Sequence, residues 1–114
     1  MVVPSAGEVV LVPFPFSDLS QSKLRPAVCL AHAGRGDWVF CQITSSPFGD
    51  PSAVRSGAAD FSTGGLLVAS IARPGKLFTA SSGLIVRSVG TLSPVALARL
   101  LSAVAALFQP RSGP

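Results

Sequence analysis

Charged side chains are scarce in this 114-residue chain, only 12% of its residues, and histidine occurs once. With 48% hydrophobic residues, so little charge excludes a disordered chain and supplies the material for one ordinary core. The single histidine, His32, excludes a two-histidine acid–base pair. It sits among glycines and reads as a solvated turn residue. Two cysteines and one histidine cannot build a structural zinc site. The five acids are nowhere paired at a useful spacing, and neither a G-x-x-x-x-G-K-S/T phosphate loop nor a G-x-S-x-G elbow is present. Long hydrophobic runs are missing too. The longest apolar stretch, Pro94–Phe108, contains Arg99 and Ser102 and falls short of the roughly 18–20 residues a membrane span needs. The opening Met-Val-Val-Pro-Ser-Ala has no cationic segment and Glu8 interrupts the apolar run, so no secretory signal is read and a cytoplasmic location is expected.

What charge there is leans positive. Seven arginines and two lysines against five acids give a formal +4. That balance suits a polyanion, and equally a small basic protein with no anionic partner.

Strand signals dominate. Val9–Val12 is an apolar, β-branched run that reads as a strand buried on both faces, ended by Pro13 and Pro15. A second strand is expected over Pro26–Ala31, a glycine-rich turn over His32–Asp37, and a third strand over Trp38–Thr44. Between the first two lies a connection of about 10–12 residues, Pro13 to Arg25, where hairpin loops usually take about 2–5. Residues 45–63 read as loop with one short strand around Ala53–Arg55. Leu66–Ala72 reads as a strand, Pro74-Gly75 as a turn, Lys76–Thr79 as a brief pairing and Gly83–Val89 as the last strand. Ser93 as N-cap and Pro94 at the first helical position then open a helix with apolar residues at helical spacing through Phe108. So apolar a helix is expected to be covered on two sides, by its own sheet and by a second subunit. The fold class is mainly β with a C-terminal helix: a bent antiparallel sheet or small barrel, one domain over residues 1–110, with a disordered tail at 111–114.

Cys29 and Cys41 stand six positions either side of Arg35. In a tight hairpin they would face one another. The other reading is two reduced, buried thiols.

Three polar clusters close apolar strands: Lys23 with Arg25, Thr44-Ser45-Ser46, and Arg73 with Lys76. Arginine offers a rigid, permanently charged fork for phosphate oxygens, and a hydroxyl row adds neutral hydrogen bonds. Together they make an anion site suited to a phosphodiester. Each alone is a solvated charge or a turn hydroxyl.

Four segments carry a resemblance: G-E-V-V-L-V-P-F-P-F-S-D-L-S-Q-S-K-L-R-P-A-V (7–28), C-Q-I-T-S-S (41–46), A-R-P-G-K-L-F-T (72–79) and V-G-T-L-S (89–93). In this order, over roughly residues 7–108, they closely resemble the MazF/PemK-type toxins of bacterial toxin–antitoxin systems. The resemblance implies an SH3-like small barrel with a C-terminal helix, assembled as a homodimer. It implies a metal-independent, cofactor-free endoribonuclease that cuts single-stranded mRNA at short sequences, leaving a 2′,3′-cyclic phosphate and a 5′-hydroxyl, and a cognate antitoxin that silences it. By motif, Arg25 matches the catalytic arginine, Thr44 the catalytic threonine and Arg73 a second arginine. Phe14–Leu24 matches the loop that shapes the RNA site, with Phe16, Ser17 and Lys23 in it. Phe14 and Phe16 are stacking platforms for bases or core anchors. Ser45, Ser46 and Lys76 complete the expected RNA contacts. Many members carry an acid two positions after the second arginine, where this chain has Gly75, so no general base is assigned. The same fold also serves non-enzymatic relatives, DNA gyrase poisons among them, and a degenerate antitoxin-binding protein is a further alternative.

Overall fold

A computed structural model of the chain describes residues 3–15, 22–45, 53–66 and 70–110. Seven strands form one antiparallel sheet: β1 (Glu8–Pro15), β2 (Ser22–Gly34), β3 (Asp37–Thr44), β4 (Val54–Ser56), β5 (Phe61–Gly64), β6 (Ser70–Ser81) and β7 (Arg87–Leu92). The spatial order is β4-β6-β3-β2-β1-β7-β5, curled into a nearly closed barrel. One helix, α1 (Pro94–Leu107), ends the described fold. This is the expected mainly β class with a C-terminal helix.

The curl has identifiable causes. Register shifts interrupt β1–β7 at Val9/Val10, β2–β3 at Cys29/Ala31, β3–β6 at Cys41/Ile43 and β5–β7 at Phe61/Thr63. Each inserts unpaired residues on one strand, which bends that strand and tightens the local twist.

Burial follows the alternation of the central strands. Val9, Val28, Cys41, Ile43 and Ala72 form one apolar cluster with Leu92 and with Ala96 and Leu100 of the helix. Val10, Val12, Ala27, Cys29 and Phe40 form a second on the opposite face, covered by Trp38, Phe78 and Ile85. The expectation that Val9–Val12 is buried on both faces holds for Val9, Val10 and Val12, while Leu11 is half-buried. Phe40 and Phe78 stack at 5.4 Å in neighbouring strands.

Several boundaries differ from the sequence reading. β1 continues through Pro13 to Pro15, and β2 starts at Ser22 rather than Pro26, so the long connection shortens to residues 16–21, outside the described residues. Prolines are tolerated there because β7 pairs β1 only as far as Leu11, and β3 pairs β2 only from Ala27. Beyond those points the ribbon is an edge and a missing N–H breaks no ladder bond. β2 also runs past His32, which is an exposed strand residue 4.9 Å from Trp38, not a turn residue. The turn itself is Arg35-Gly36, both at positive φ (55° and 80°), which matches the twist of a two-residue hairpin. Pro74-Gly75 is not a turn. β6 runs through it, with Arg73–Lys76 bulging out between the pairs Cys41↔Leu77 and Ile43↔Ala72. The expected last strand over Gly83–Val89 divides into a short 3-10 turn at Ser82–Leu84 and β7, and β5 appears within the expected loop.

The helix begins as expected: the Ser93 hydroxyl accepts a hydrogen bond from the Ala96 N–H at 3.2 Å, and Pro94 occupies the first turn. It packs on β4, β6 and β7 through Ala96 and fully buried Leu100, whose burial contributes about 1.5–3 kcal/mol. Val95 and Leu101 away from that contact, and Leu107 and Phe108 at the C-terminal end, stay exposed among the described residues.

Where β5 crosses β7 the backbones touch. Gly64 and Gly90 are paired, and a Cβ on Gly90 would lie 2.6 Å from the Thr63 carbonyl oxygen and 2.8 Å from the Gly65 nitrogen. Gly90→Ala should therefore lower stability by about 1–3 kcal/mol. Gly75→Ala, with open space around the new methyl, should stay within about 0.5 kcal/mol. Urea denaturation of both variants checks the difference.

The bulge at Cys29/Ala31 also decides the thiols. Cys29 pairs with Phe40 and Cys41 with Val28, so the two cysteines point to opposite faces and into different clusters. Both are buried and free, which selects the reduced reading. Burial pushes both thiols up to about 12, and the Glu8 carboxylate adds to the rise at Cys29. A thiol that ionises near 9 when unfolded but near 12 when folded stabilises the fold fully below about 9 and loses that contribution as pH rises towards 12. The urea midpoint should fall steadily above pH 9, and iodoacetamide at pH 8 should label the thiols only in denaturant.

Candidate phosphodiester-binding site

Three strands that part company build the site. β1 continues beyond β7, β2 continues beyond β3, and β6 bulges away from β3, so the sheet opens at this end. The β2–β3 register pairs Ala27 with Gln42. Arg25 and Thr44 lie just beyond that last pair, and both line the opening. On the other side, Leu11 pairs with both Pro26 of β2 and Arg87 of β7.

The opening is a cavity of about 570 Å³. Leu11, Pro26, Ile43, Leu66 and Val89 give it apolar walls, and Thr44, Ser45, Ser70 and Ser88 supply hydroxyls. Arg25 and Arg87 are its only charged lining residues among those described, and no acid or imidazole lines it. A concave site with an apolar floor, hydroxyl donors and cations of one sign takes an anion with an apolar body.

The structure therefore brings together three residues expected from sequence: Arg25, Thr44 and Ser45. Arg73 and Lys76 stand apart in the β6 bulge and do not line the cavity. Arg73 is half-buried, and its carbonyl accepts a hydrogen bond from the Cys41 thiol at 3.1 Å. The bulge replaces the sharp turn that would have carried both cations back to the strand ends. Lys23 is exposed on the β1–β2 ribbon, opposite Phe14. The side chain of Phe14, and residues Phe16, Ser17 and Ser46, lie outside what is described.

Sequence reasoning missed Arg87, Ser88 and Ser70. Arg87 lay inside an expected apolar strand, and its only signal was a lone cation after Leu84-Ile85-Val86. Among the described residues no group of three or more metal-ligating side chains is gathered, and no helix is long and apolar enough to cross a membrane.

The family description "PemK-like, MazF-like toxin of type II toxin-antitoxin system" matches residues 5–108. The chain belongs to this toxin family. The MazE–MazF complex from Deinococcus radiodurans contains a chain with 21% identity and a TM-score of 0.75, covering 94% of this chain and 96% of that one. An endoribonuclease from a mycobacterial species is similar at 20% identity and a TM-score of 0.71, over 98% of both chains. The mycobacterial endoribonuclease in complex with its cognate antitoxin gives 20% identity and a TM-score of 0.69, over 98% of this chain and 100% of that one. At such identities the likeness to these structures is one of fold. Comparison with curated proteins gives no match.

Proposed function

We propose that this family member is a sequence-specific, metal-independent endoribonuclease that cuts single-stranded mRNA in the cytoplasm and is held silent by a cognate antitoxin. The observation that carries the reading is the cavity lined by both Arg25 and Thr44 over an apolar floor, with no acid among its described lining residues. Family membership and the endoribonuclease and antitoxin-bound structures of like fold support it.

The chemistry needs little more. The ribose 2′-oxygen attacks the adjacent phosphorus, a new O–P bond forms and the bond to the 5′-oxygen breaks. The products are a 2′,3′-cyclic phosphate and a 5′-hydroxyl. The 2′-hydroxyl loses a proton and the departing 5′-oxygen gains one. Arg25 holds the phosphate and stabilises the charge that grows on its oxygens. A guanidinium keeps its protons near neutral pH and is unsuited to proton transfer. Thr44 orients the phosphate through its hydroxyl rather than acting as a base. Among the described lining residues the groups suited to the reaction are Arg25 and Thr44, which act by positioning and charge.

A second reading, a toxin-fold binder without nuclease activity, draws on one observation. Gly75 occupies the position where many relatives carry an acid, and it sits exposed in the β6 bulge.

Purified protein should cleave long single-stranded RNA in EDTA, and Arg25→Ala should lower the rate about 10²–10³-fold. Intact RNA with folded wild-type protein would sink the enzymatic reading, and inhibition of gyrase supercoiling in that case would favour the binder. The exposed helix face of Val95, Leu101 and Phe108 motivates the homodimer. Light scattering at micromolar concentration should give twice the chain mass, and Leu101→Glu should halve it.

A further inference from the structure

The cavity has two cationic rims, and the proposed reaction uses only one of them. Arg25 serves the rim where β2 leaves β3. Arg87 serves the opposite rim, at the start of β7. The two are not neighbours by chance of loop conformation. Leu11, on the cavity floor, is paired on one side with Pro26 and on the other with Arg87. Directly opposed residues in a sheet project to the same face, so Arg87 shares the face of Leu11, whereas Arg25, opposed to Val12, lines the cavity where β2 runs past the end of β3. β2 and β7 flank β1, so their backbones lie two strand spacings, about 10 Å, apart. A nucleoside seated on Leu11 would have one arginine on each side.

Arg87 has no competing employment. It is exposed, and among the described residues no carboxylate or hydrogen-bond acceptor holds its guanidinium. By contrast, Arg99 pairs with Asp60 at 3.6 Å, and Arg25 and Arg73 are already engaged within the fold. A guanidinium fork suits a phosphate monoanion.

The geometry points to Arg87 as a second phosphate-holding residue of the RNA site: it grips the phosphate on the far side of the nucleoside whose reacting phosphate lies at Arg25. This assignment rests on the endoribonuclease reading of the same cavity. Arg87 acts in positioning. It supplies binding that is equal in the ground and transition states, so its loss raises KM and leaves kcat.

The test uses Arg87→Gln, Arg87→Lys and, as a charge-matched control outside the cavity, Arg35→Asn. Asparagine tolerates the positive φ of the Arg35 turn position. Binding is read by anisotropy with a short, mixed-sequence 2′-fluoro RNA, which cannot be cut, across a salt series. Cleavage of long mixed-sequence RNA supplies kcat and KM. R87Q should raise Kd and KM roughly tenfold, with kcat unchanged. It should also flatten the slope of log K against log salt by about 0.7, the contribution of one phosphate contact on a single strand. R87K should recover the slope, and R35N should keep wild-type values in both assays. The assignment is overturned if R87Q matches R35N, if R87Q lowers kcat at unchanged KM, or if R87K fails to recover the slope. Wild-type protein that binds the 2′-fluoro RNA but cuts nothing defeats the nuclease reading while the salt slope still judges Arg87. Wild-type protein that binds no RNA overturns both.

Discussion

The antiparallel register running from β7 through β1 and β2 to β3 is the constraint on which the site depends. It aligns Arg87, Leu11 and Pro26 in one transverse row, and where it ends, past Ala27 and Gln42, Arg25 and Thr44 line the same cavity. Because side chains alternate with a period of two, a slip of one residue would send every member of that row to the other face. Burial prevents the slip. Val9 and Val28 must enter one cluster while Val10 and Ala27 enter the other, and only one register satisfies both. The same double burial that gives β1 its stability therefore fixes the distance between the two cationic rims.

The cavity exists because the strands end unequally. Pro13, Pro15 and Pro26 lie where the β1–β2 ribbon has no partner on one side, and Arg73–Lys76 bulges out where β6 would otherwise cover β3. Proline and glycine here do not stop strands. They free them from neighbours at chosen points, and half-buried Leu11 and Pro26 are left as the floor over fully buried Ile43. At the opposite seam, Gly64 and Gly90 let β5 and β7 meet at a separation no side chain allows.

Sparse charge sharpens the result. In a chain with nine cations and five acids, a cavity whose described lining holds two arginines and no acid is a local concentration of positive potential over an apolar floor. Two of the three described acids are engaged elsewhere, Asp60 with Arg99 and the backbone N–H of Gly57 and Glu8 with the N–H of Ser5, and the third, Asp37, sits at the β2–β3 turn. A polyanion with apolar bases fits such a surface better than a simple inorganic ion does.

Local chemistry alone was enough to read the apolar strands, the Ser93–Pro94 helix start, the mainly β class and three of the cavity's residues, Arg25, Thr44 and Ser45. Alternation, capping and strand-end polarity are properties of neighbours in sequence, so they survive without a fold. Everything that turns on register had to wait for the tertiary structure. The cysteines, symmetric about Arg35 in sequence, are parted by one bulge. Pro74-Gly75 has the composition of a turn, yet pairing on both flanks holds it inside a strand, which leaves Arg73 and Lys76 outside the cavity. Arg87 looked like an interruption in an apolar run and became a rim of the site. A bulge displaces every later pair by at least one residue, and nothing in a linear pattern marks where that displacement falls.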